Sequence, residues 1–490
     1  MGNNMRSKIV ATIGPASSDY QIMKSMVEYG VRIFRLNFSH SNAETFVPVI
    51  KAIRELENET NIPLTIMGDL CGPKIRIGEV LGSPLQIDKG RTLALGTPDM
   101  RDKAGGEFTF ISLDVPELLH GLMVGMPVSL SDGMLQFTVT TVVKEHQLFE
   151  IKAHNAGLLT SNKGIAFPGK FHPMPAMTAK DRVDLHEGLD VGIDAVALSF
   201  VQNQQDILDL RAEIVKHGTW IPIVAKLERK NAVDNLDSIL AATDAIMVAR
   251  GDLALECPLT ELPVIQKRLI RAARHAQKGV IVATQMLLSM VKNPLPTRAE
   301  VTDVANAIID GADCVMLSEE TAIGSYPVEA VKLINGLAEH AEDYFFERVQ
   351  GPYAPKKEKN PAKYLAYGAC LLADNLEGAG LVCHSRSGAT ARLLSSRRPT
   401  QPIYALTTDE RVLRSFNFFF GLEPCRADSA IDSHLRRAES FIQNDERFKP
   451  GDILVITSGQ PTPGQVRACH DDLCLAMQNM NTNQIKVFCK

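Results

Sequence analysis

The segment Val224–Asp252 opens with Val224-Ala225-Lys226-Leu227-Glu228 and closes with Met247-Val248-Ala249-Arg250-Gly251-Asp252. Each end reads as a short buried strand running out into charged residues. Strand side chains alternate between faces, so Lys226 and Glu228 share a face, and Arg250 and Asp252 are expected to do the same. A cation and two carboxylates then gather at the ends of two neighbouring strands. That set suits a divalent metal holding a phosphorylated substrate, because Mg2+ accepts one or two protein carboxylates and fills its other positions with water or phosphate oxygen. Taken alone, Lys-x-Glu and Gly-Asp are more often surface ion pairs, so the surroundings decide.

Outward from this segment the same rhythm repeats. Downstream come a helix over 260–276, a strand Val280–Gln285, a helix over 298–309, a strand Cys314–Glu320 and a helix over about 327–347. A helix over 230–241 lies inside the segment; upstream are a helix over 203–216, a strand Ala195–Phe200 and a helix over 178–190. The N-terminal part adds strands Lys8–Gly14, Arg32–Ser39 and Leu64–Leu70, with helices to about Tyr29 and over 43–59. Alternating strands and helices argue for a parallel α/β sheet. Eight of each predict a (β/α)8 TIM barrel, whose active site lies at the C-terminal strand ends. Those ends supply Arg35, Asn37, Ser39, Asp69, Ser199, Lys226, Glu228, Asp252, Thr284 and Glu320.

The rhythm breaks over 74–170. Short alternating runs such as Thr92–Leu95, Glu107–Phe110 and Gln136–Thr140, with an Asp132-Gly133 hairpin turn and no convincing helix, predict an inserted β-barrel lid domain. The barrel is then 1–73 with 171–347. A Gly-, Pro- and Lys-rich linker over 348–361 leads to a C-terminal α/β domain, 362–490, with strands at Gly380–Cys383, Pro402–Leu406, Asp452–Ile456 and Ile485–Phe488.

Composition narrows the classes. The chain has 490 residues, 45% hydrophobic and 22% charged, as in an ordinary globular protein of two to four domains. A net charge of -5 gives no reason to expect nucleic acid or an anionic membrane as partner. There is no apolar run long enough to span a bilayer. The start, Met1-Gly2-Asn3-Asn4-Met5-Arg6-Ser7, has no apolar core after its basic residue and misses the myristoylation pattern. Nine scattered cysteines without a Cys-x-x-Cys pair suit reduced thiols, so a cytoplasmic location is expected.

Eight segments, in order along nearly the whole chain, resemble the pyruvate kinase family: Lys8–Ser17 (KIVATIGPAS), Arg35–His40 (RLNFSH), Asp69–Arg76 (DLCGPKIR), Asn162–Gly169 (NKGIAFPG), Met247–Leu253 (MVARGDL), Ala283–Met286 (ATQM), Pro296–Val304 (PTRAEVTDV) and Met316–Thr321 (MLSEET). The resemblance implies transfer of the phosphoryl group of phosphoenolpyruvate to ADP, the last step of glycolysis, by a homotetramer of barrel, lid and C-terminal domain. It implies Glu228 and Asp252 as Mg2+ ligands, Lys226 as transition-state stabiliser and Arg35 on the substrate phosphate. Gly251 and Thr284 would contact substrate, Thr284 near the carbon that is protonated last. Arg76, Lys163 and, as an orienting group, His40 fall on the nucleotide side.

Asn37, Ser39, Asp69 and the backbone of Leu70 match the family's K+ site. Many members continue Thr-Lys-Gly-Pro-Glu after that aspartate, whereas this chain has Leu70-Cys71-Gly72-Pro73-Lys74. A fixed Lys74 ammonium is expected to supply the charge that K+ otherwise brings. Ala166 departs from a common asparagine in the lid, and Thr45 from the aromatic residue many members place by the adenine. In the last domain Ser385-Arg386-Ser387-Gly388-Ala389-Thr390 follows a strand and opens a helix, where hydroxyls and amides favour phosphate. The family uses this loop for phosphorylated effectors, here Ser385, Ser387, Gly388 and Thr390; an ordinary capped turn is the alternative. The facing loop, Ser458–Gly464, is followed by an extra segment, Gln465–Met480.

Two other classes compete. A Mg2+-dependent lyase or aldolase could use a similar Glu/Asp pair to stabilise an enolate, but it has no need of a nucleotide lid. A non-catalytic sensor could use the last domain, but a binding module has no need of Lys226 beside a metal pair.

Overall fold

The computed structural model describes residues 5–458 and 482–490, except 40, 74, 105–107, 114, 132 and 171–173. Eight parallel strands close into a barrel: Lys8–Thr12, Val31–Asn37, Thr65–Asp69, Ala195–Leu198, Ile223–Leu227, Ala245–Ala249, Gly279–Ala283 and Cys314–Leu317. They read as continuous apolar runs because both faces are covered. Val10, Ile33, Met67, Ala197, Val224, Met247, Ile281 and Met316 point inward. Their neighbours Ile9, Phe34, Ile66, Val196, Ala225, Val248, Val282 and Val315 pack under the helices. Thr178 with Asp181, Asn203 with Asp206 and Thr297 with Glu300 form capping boxes that start three of those helices.

Two expectations near the opening segment are corrected. The strand expected through Asp252 stops at Ala249, and Arg250–Glu256 is a helix. Residues two apart on a helix face nearly opposite ways, so Arg250 and Asp252 do not share a face. The helix expected over 230–241 is two pieces, Lys230–Asp234 and Leu236–Ala242, broken at Asn235, whose side chain donates to the Gln202 carbonyl.

Between the third and fourth barrel strands, six strands form one sheet and two more form a second. They enclose their own core, including Leu93, Ile111, Phe137, Phe149 and Phe167. The helix-free expectation for this stretch is corrected by short 3-10 turns at Pro98–Lys103 and Pro116–Leu119.

Beyond Pro361–Asn375, a helix, lies a five-stranded sheet. It contains a strand not foreseen in the sequence, Leu422–Arg426, at one edge. Pro424 within it argues against a strand interior, but an edge leaves one side of the ladder unpaired and tolerates it.

The barrel is stopped at its N-terminal end by the turn Phe416–Phe418 and Phe419, which join the inward-facing strand residues in a single core. The Asn417 amide donates to the Pro63 carbonyl at 2.8 Å and to Thr65 Oγ1 at 3.0 Å. Arg414 reaches Glu57 of the barrel with two hydrogen bonds, at 3.1 and 3.0 Å, and lies 3.4 Å from Asp194.

Candidate active site

Strand alternation assembles the site. Inward-facing Ile33, Met67 and Val224 are each followed two residues later, at the C-terminal end of the strand, by Arg35, Asp69 and Lys226. The inward column that keeps water out of the barrel thus ends in a charged layer. Arg35 Nε donates to Asp69 Oδ2 at 2.6 Å, and its Nη1 to Thr12 Oγ1 at 3.1 Å. Lys226 Nζ lies 3.2 Å from Asp69 Oδ1, 3.0 Å from Glu228 Oε1 and 2.7 Å from Ser199 Oγ. Glu228 Oε2 accepts from the Phe200 amide at 2.7 Å.

Burial and charge act against each other here. Burial works to neutralise Lys226, but the Asp69 and Glu228 carboxylates outweigh it and hold the ammonium well above the usual lysine range. Burial also opposes ionisation of Asp69, and Lys226 with Arg35 overcomes it, holding Asp69 below the ordinary aspartate range. Glu228 is pushed up, first by burial and then by the charge of Asp252, despite Lys226. Two carboxylates close together in a buried site favour an added cation. Among the described residues no cluster of three or more His, Cys, Asp or Glu side chains could hold a metal. Two carboxylates with the remaining positions left to substrate and water is a donor set that fits Mg2+.

Thr284 follows the seventh strand in the left-handed region, φ 69°, and Gln285 does too, φ 54°. A β-branched residue there is a genuine outlier. Thr284 Oγ1 donates to the Ala283 carbonyl at 2.6 Å and accepts from the Gly251 amide at 2.8 Å. Arg250, expected on the same face as Asp252, turns to Asp303 at 2.7 Å and donates to the Thr284 carbonyl at 2.8 Å, so it braces the Thr284 turn. A Cβ built on Gly251 would have Thr284 as its nearest neighbour, at an ordinary contact distance of 3.6 Å, so packing within the chain does not demand glycine there. Glu320 is structural: its carboxylate accepts from the Leu287 and Ser318 amides at 3.0 and 2.7 Å.

Three of the oxygens expected to ligate K+ already accept from the chain. Asn37 takes the Ser39 amide at 3.1 Å, the Leu70 carbonyl takes Ser199 Oγ at 2.7 Å, and Asp69 Oδ2 takes Arg35 Nε at 2.6 Å, whereas the buried Asp69 Oδ1, 3.2 Å from the Lys226 ammonium, accepts no hydrogen bond among the described residues. Lys74 and His40 lie outside the described residues. On the inserted domain Arg76 and Lys163 are exposed neighbours on paired segments. Arg76 Nη1 donates to the Asn162 carbonyl at 2.8 Å, and the Lys163 carbonyl accepts from the Ile77 amide at 2.9 Å.

Sequence reasoning missed a cavity of about 620 Å³ beside Asn37, lined by Pro15, Thr45, Phe46, Pro48 and Ile323 among others. Apolar residues on a barrel rim look like core in a sequence, and only the fold shows Ile323 left 60% exposed.

In the C-terminal domain the expected effector loop is buried: Ser385, Ser387 and Thr390 are all nearly inaccessible. Gly388 has φ 76° and starts the helix Ala389–Ser395, and Thr390 Oγ1 accepts from Thr482 at 3.0 Å. The loop at 459–464 and the segment 465–480 lie outside the described residues. His384, just before the loop, is fully buried; the Arg437 guanidinium donates to its Nε2 at 3.1 Å. Burial, then His434, Arg437 and Arg386, push its pKa down to about 3. A folded-state pKa below the unfolded value of about 6.5 means that the unfolded chain binds the proton first as pH falls. Stability should therefore decline from about pH 6.5 downward by up to about 1.4 kcal/mol per pH unit from this residue. Denaturation midpoints at pH 7 and pH 5 should show a smaller difference in His384→Gln than in the unaltered chain; equal differences would contradict this.

A family model described as "Pyruvate kinase, barrel domain" matches residues 4–331, and one described as "Pyruvate kinase, alpha/beta domain" matches residues 363–469. The chain is 40% identical over 463 residues to a pyruvate kinase of Agrobacterium vitis, covering 94% of each. It is 37% identical to a pyruvate kinase of Thermoplasma acidophilum, covering 93% of this chain and 80% of that one. It is 36% identical to a pyruvate kinase of Thermococcus litoralis, covering 93% and 95%. The Arg35–Asp69–Lys226–Glu228 layer thus stands on a barrel matched over nearly its full length, and the chain belongs to the pyruvate kinase family.

Proposed function

We propose that the pyruvate kinase reaction of this chain, phosphoryl transfer from phosphoenolpyruvate to ADP giving pyruvate and ATP, is carried by Arg35, Lys226, Glu228, Asp252 and Thr284. The observation that carries this reading is the Lys226 ammonium, held charged between Asp69 and Glu228 and next to Arg35 at the mouth of the barrel. Such a preorganised cation helps most where charge develops. Arg35, steadied by Asp69 and Thr12, presents its remaining N–H groups to the phosphate. Lys226 faces the moving phosphoryl group and the enolate oxygen left behind. Glu228 and Asp252 would hold Mg2+, which supplies charge neutralisation on the transferring group without proton exchange. The Thr284 hydroxyl stands by the methylene carbon that must gain a proton.

Arg76 and Lys163, side by side on the lid domain, suit nucleotide phosphates, while the 620 Å³ apolar cavity suits the base. That pairing favours a kinase over the lyase reading. His40 belongs to the same side. The division into a barrel of 1–73 and 171–347, a lid of 74–170, a linker and a domain of 362–490 follows the same reading. So do a phosphorylated effector at Ser385, Ser387, Gly388 and Thr390, a homotetramer, and a cytoplasmic location. Among the described residues no helix is long and apolar enough to cross a membrane.

The test is pyruvate formation from phosphoenolpyruvate and ADP with Mg2+, with and without K+. Turnover in both conditions is expected, with Lys74 supplying the charge of the monovalent cation. Turnover only with K+ would discard the Lys74 argument and keep the kinase. No turnover in either, from folded protein, would overturn the assignment of these residues.

A further inference from the structure

Phe200 sits where the lid domain and the metal carboxylates meet. Its amide donates to Glu228 Oε2 at 2.7 Å, and its φ is 57°, an outlier for a bulky aromatic residue. Surroundings must over-determine such a conformation for it to persist. On one side stands Gly72, at the root of the inserted domain. Gly72 has φ 66°, and a Cβ on it would come within 2.8 Å of the Phe200 ring. On the other stands Arg229, its guanidinium carbon 5.1 Å from the ring centroid and the residue only 5% exposed.

Arg229 is unusual in its charge environment. Among the described residues no carboxylate lies within ion-pair distance of it, although the charge of Glu256 attracts it. Both residues line a cavity of about 60 Å³, with Glu228 and Asp252 on the barrel side and Ser129, Gly133 and Gly164–Ala166 on the lid side. Glu256 is also a seat of the lid: its Oε2 accepts from the Gly169 amide at 3.4 Å, and neighbouring Leu255 packs so tightly on Gly133 that a Cβ there would lie 2.5 Å away. The lid therefore touches this assembly at its root, through Gly72, and again through Gly133 and Gly169.

We propose that Arg229 and Glu256 are positioning residues: Arg229 clamps the Phe200 ring so that its amide fixes the rotamer of Glu228, and Glu256 ties the seat of the lid to that clamp. Seating the lid and orienting the metal carboxylate are then one event, with no contact between Arg229 and substrate. This rests on Glu228 and Asp252 being the divalent-cation pair.

The sign of one measurement separates positioning from bare electrostatics. Removing a positive charge beside a cation site relieves repulsion and should tighten binding. Removing a group that orients a ligand should loosen it, typically by about 10- to 100-fold. Mn2+ binding to the full chain, followed by electron paramagnetic resonance without substrates, is therefore expected to weaken about tenfold or more in Arg229→Met. Arg229→Lys, which keeps a cation over the ring, should recover part of the loss. In Glu256→Gln, hydrogen exchange at the Gly169 amide should quicken. Mn2+ binding as tight as in the unaltered chain, or tighter, in Arg229→Met would overturn the clamp. Unchanged exchange at Gly169 in Glu256→Gln would overturn the tie to the lid. If the unaltered chain holds no Mn2+, the metal pair itself is wrong; the clamp is then judged by exchange at the Phe200 amide in Arg229→Met, where an unchanged rate overturns it.

Discussion

Lys226→Met lowers the turnover of phosphoenolpyruvate and ADP by about 10³-fold or more, with a much smaller change in KM. In the proposed role the ammonium meets charge that exists chiefly in the transition state, so its loss would fall on kcat rather than on ground-state binding. Asp69 and Glu228 make the expected effect large, because they hold it charged and leave its side chain only 12% exposed. The same contacts complicate the experiment. Methionine would leave two buried carboxylates without their shared partner, and breaking such a pair from one side costs about 3–5 kcal/mol. Rates must therefore be measured on protein whose folded fraction is verified by circular dichroism. Lys226→Arg, which keeps the charge with different geometry, should keep the stability better than the rate. A Lys226→Met enzyme that retains more than a tenth of the original kcat would remove this residue from its role.

Phe418→Ala destabilises the protein by about 3–5 kcal/mol, the usual range for emptying a buried aromatic site. Phe418 comes from the C-terminal half, yet it is buried, 1% exposed, in the core that fills the barrel. The chain is fitted closely around it: a Cβ on Gly279, at the start of the seventh strand, would lie 2.5 Å from the Phe418 carbonyl oxygen. A void at this position has barrel strands on one side and the C-terminal sheet on the other, so both should melt earlier together. Calorimetry should show the main transition falling by several degrees. Phe110→Ala is the control, since Phe110 lies in a separate small cluster of the inserted domain with Met100 and Leu148. If Phe418→Ala shifted the main transition no more than Phe110→Ala does, the two halves would not share a core.

These two residues also show what could be read in the sequence. Lys226 was legible because strand alternation is local: once Val224 faces inward, Lys226 must follow it at the open end. The same rule placed Arg35 two residues after Ile33 and Asp69 two after Met67. It failed at Arg250, since the strand ends at Ala249 and a helix begins with the next residue, with no connecting turn between them to mark the change of period. Phe418 was not legible as barrel core. Its run, Phe416 to Phe420, signals burial but carries no address, because its barrel partners lie more than a hundred residues earlier.

The barrel, the insertion after its third strand, the trailing α/β domain and the residue types of the charged layer were all legible in the order of amino acids. Each follows from periodicity and short-range chemistry, and from motifs that keep their order along the chain. Which charges meet depends instead on how the chain closes in space. Arg35 and Lys226 converge on Asp69 from separate strands, whereas Arg250 leaves the site for Asp303. Thr284 is held in a left-handed turn, and Phe200 lies between Gly72 and Arg229. The physical reason is that hydrogen bonds and ion pairs act only over a few ångströms, and the neighbours at that distance are set by closing the barrel, not by proximity in the chain.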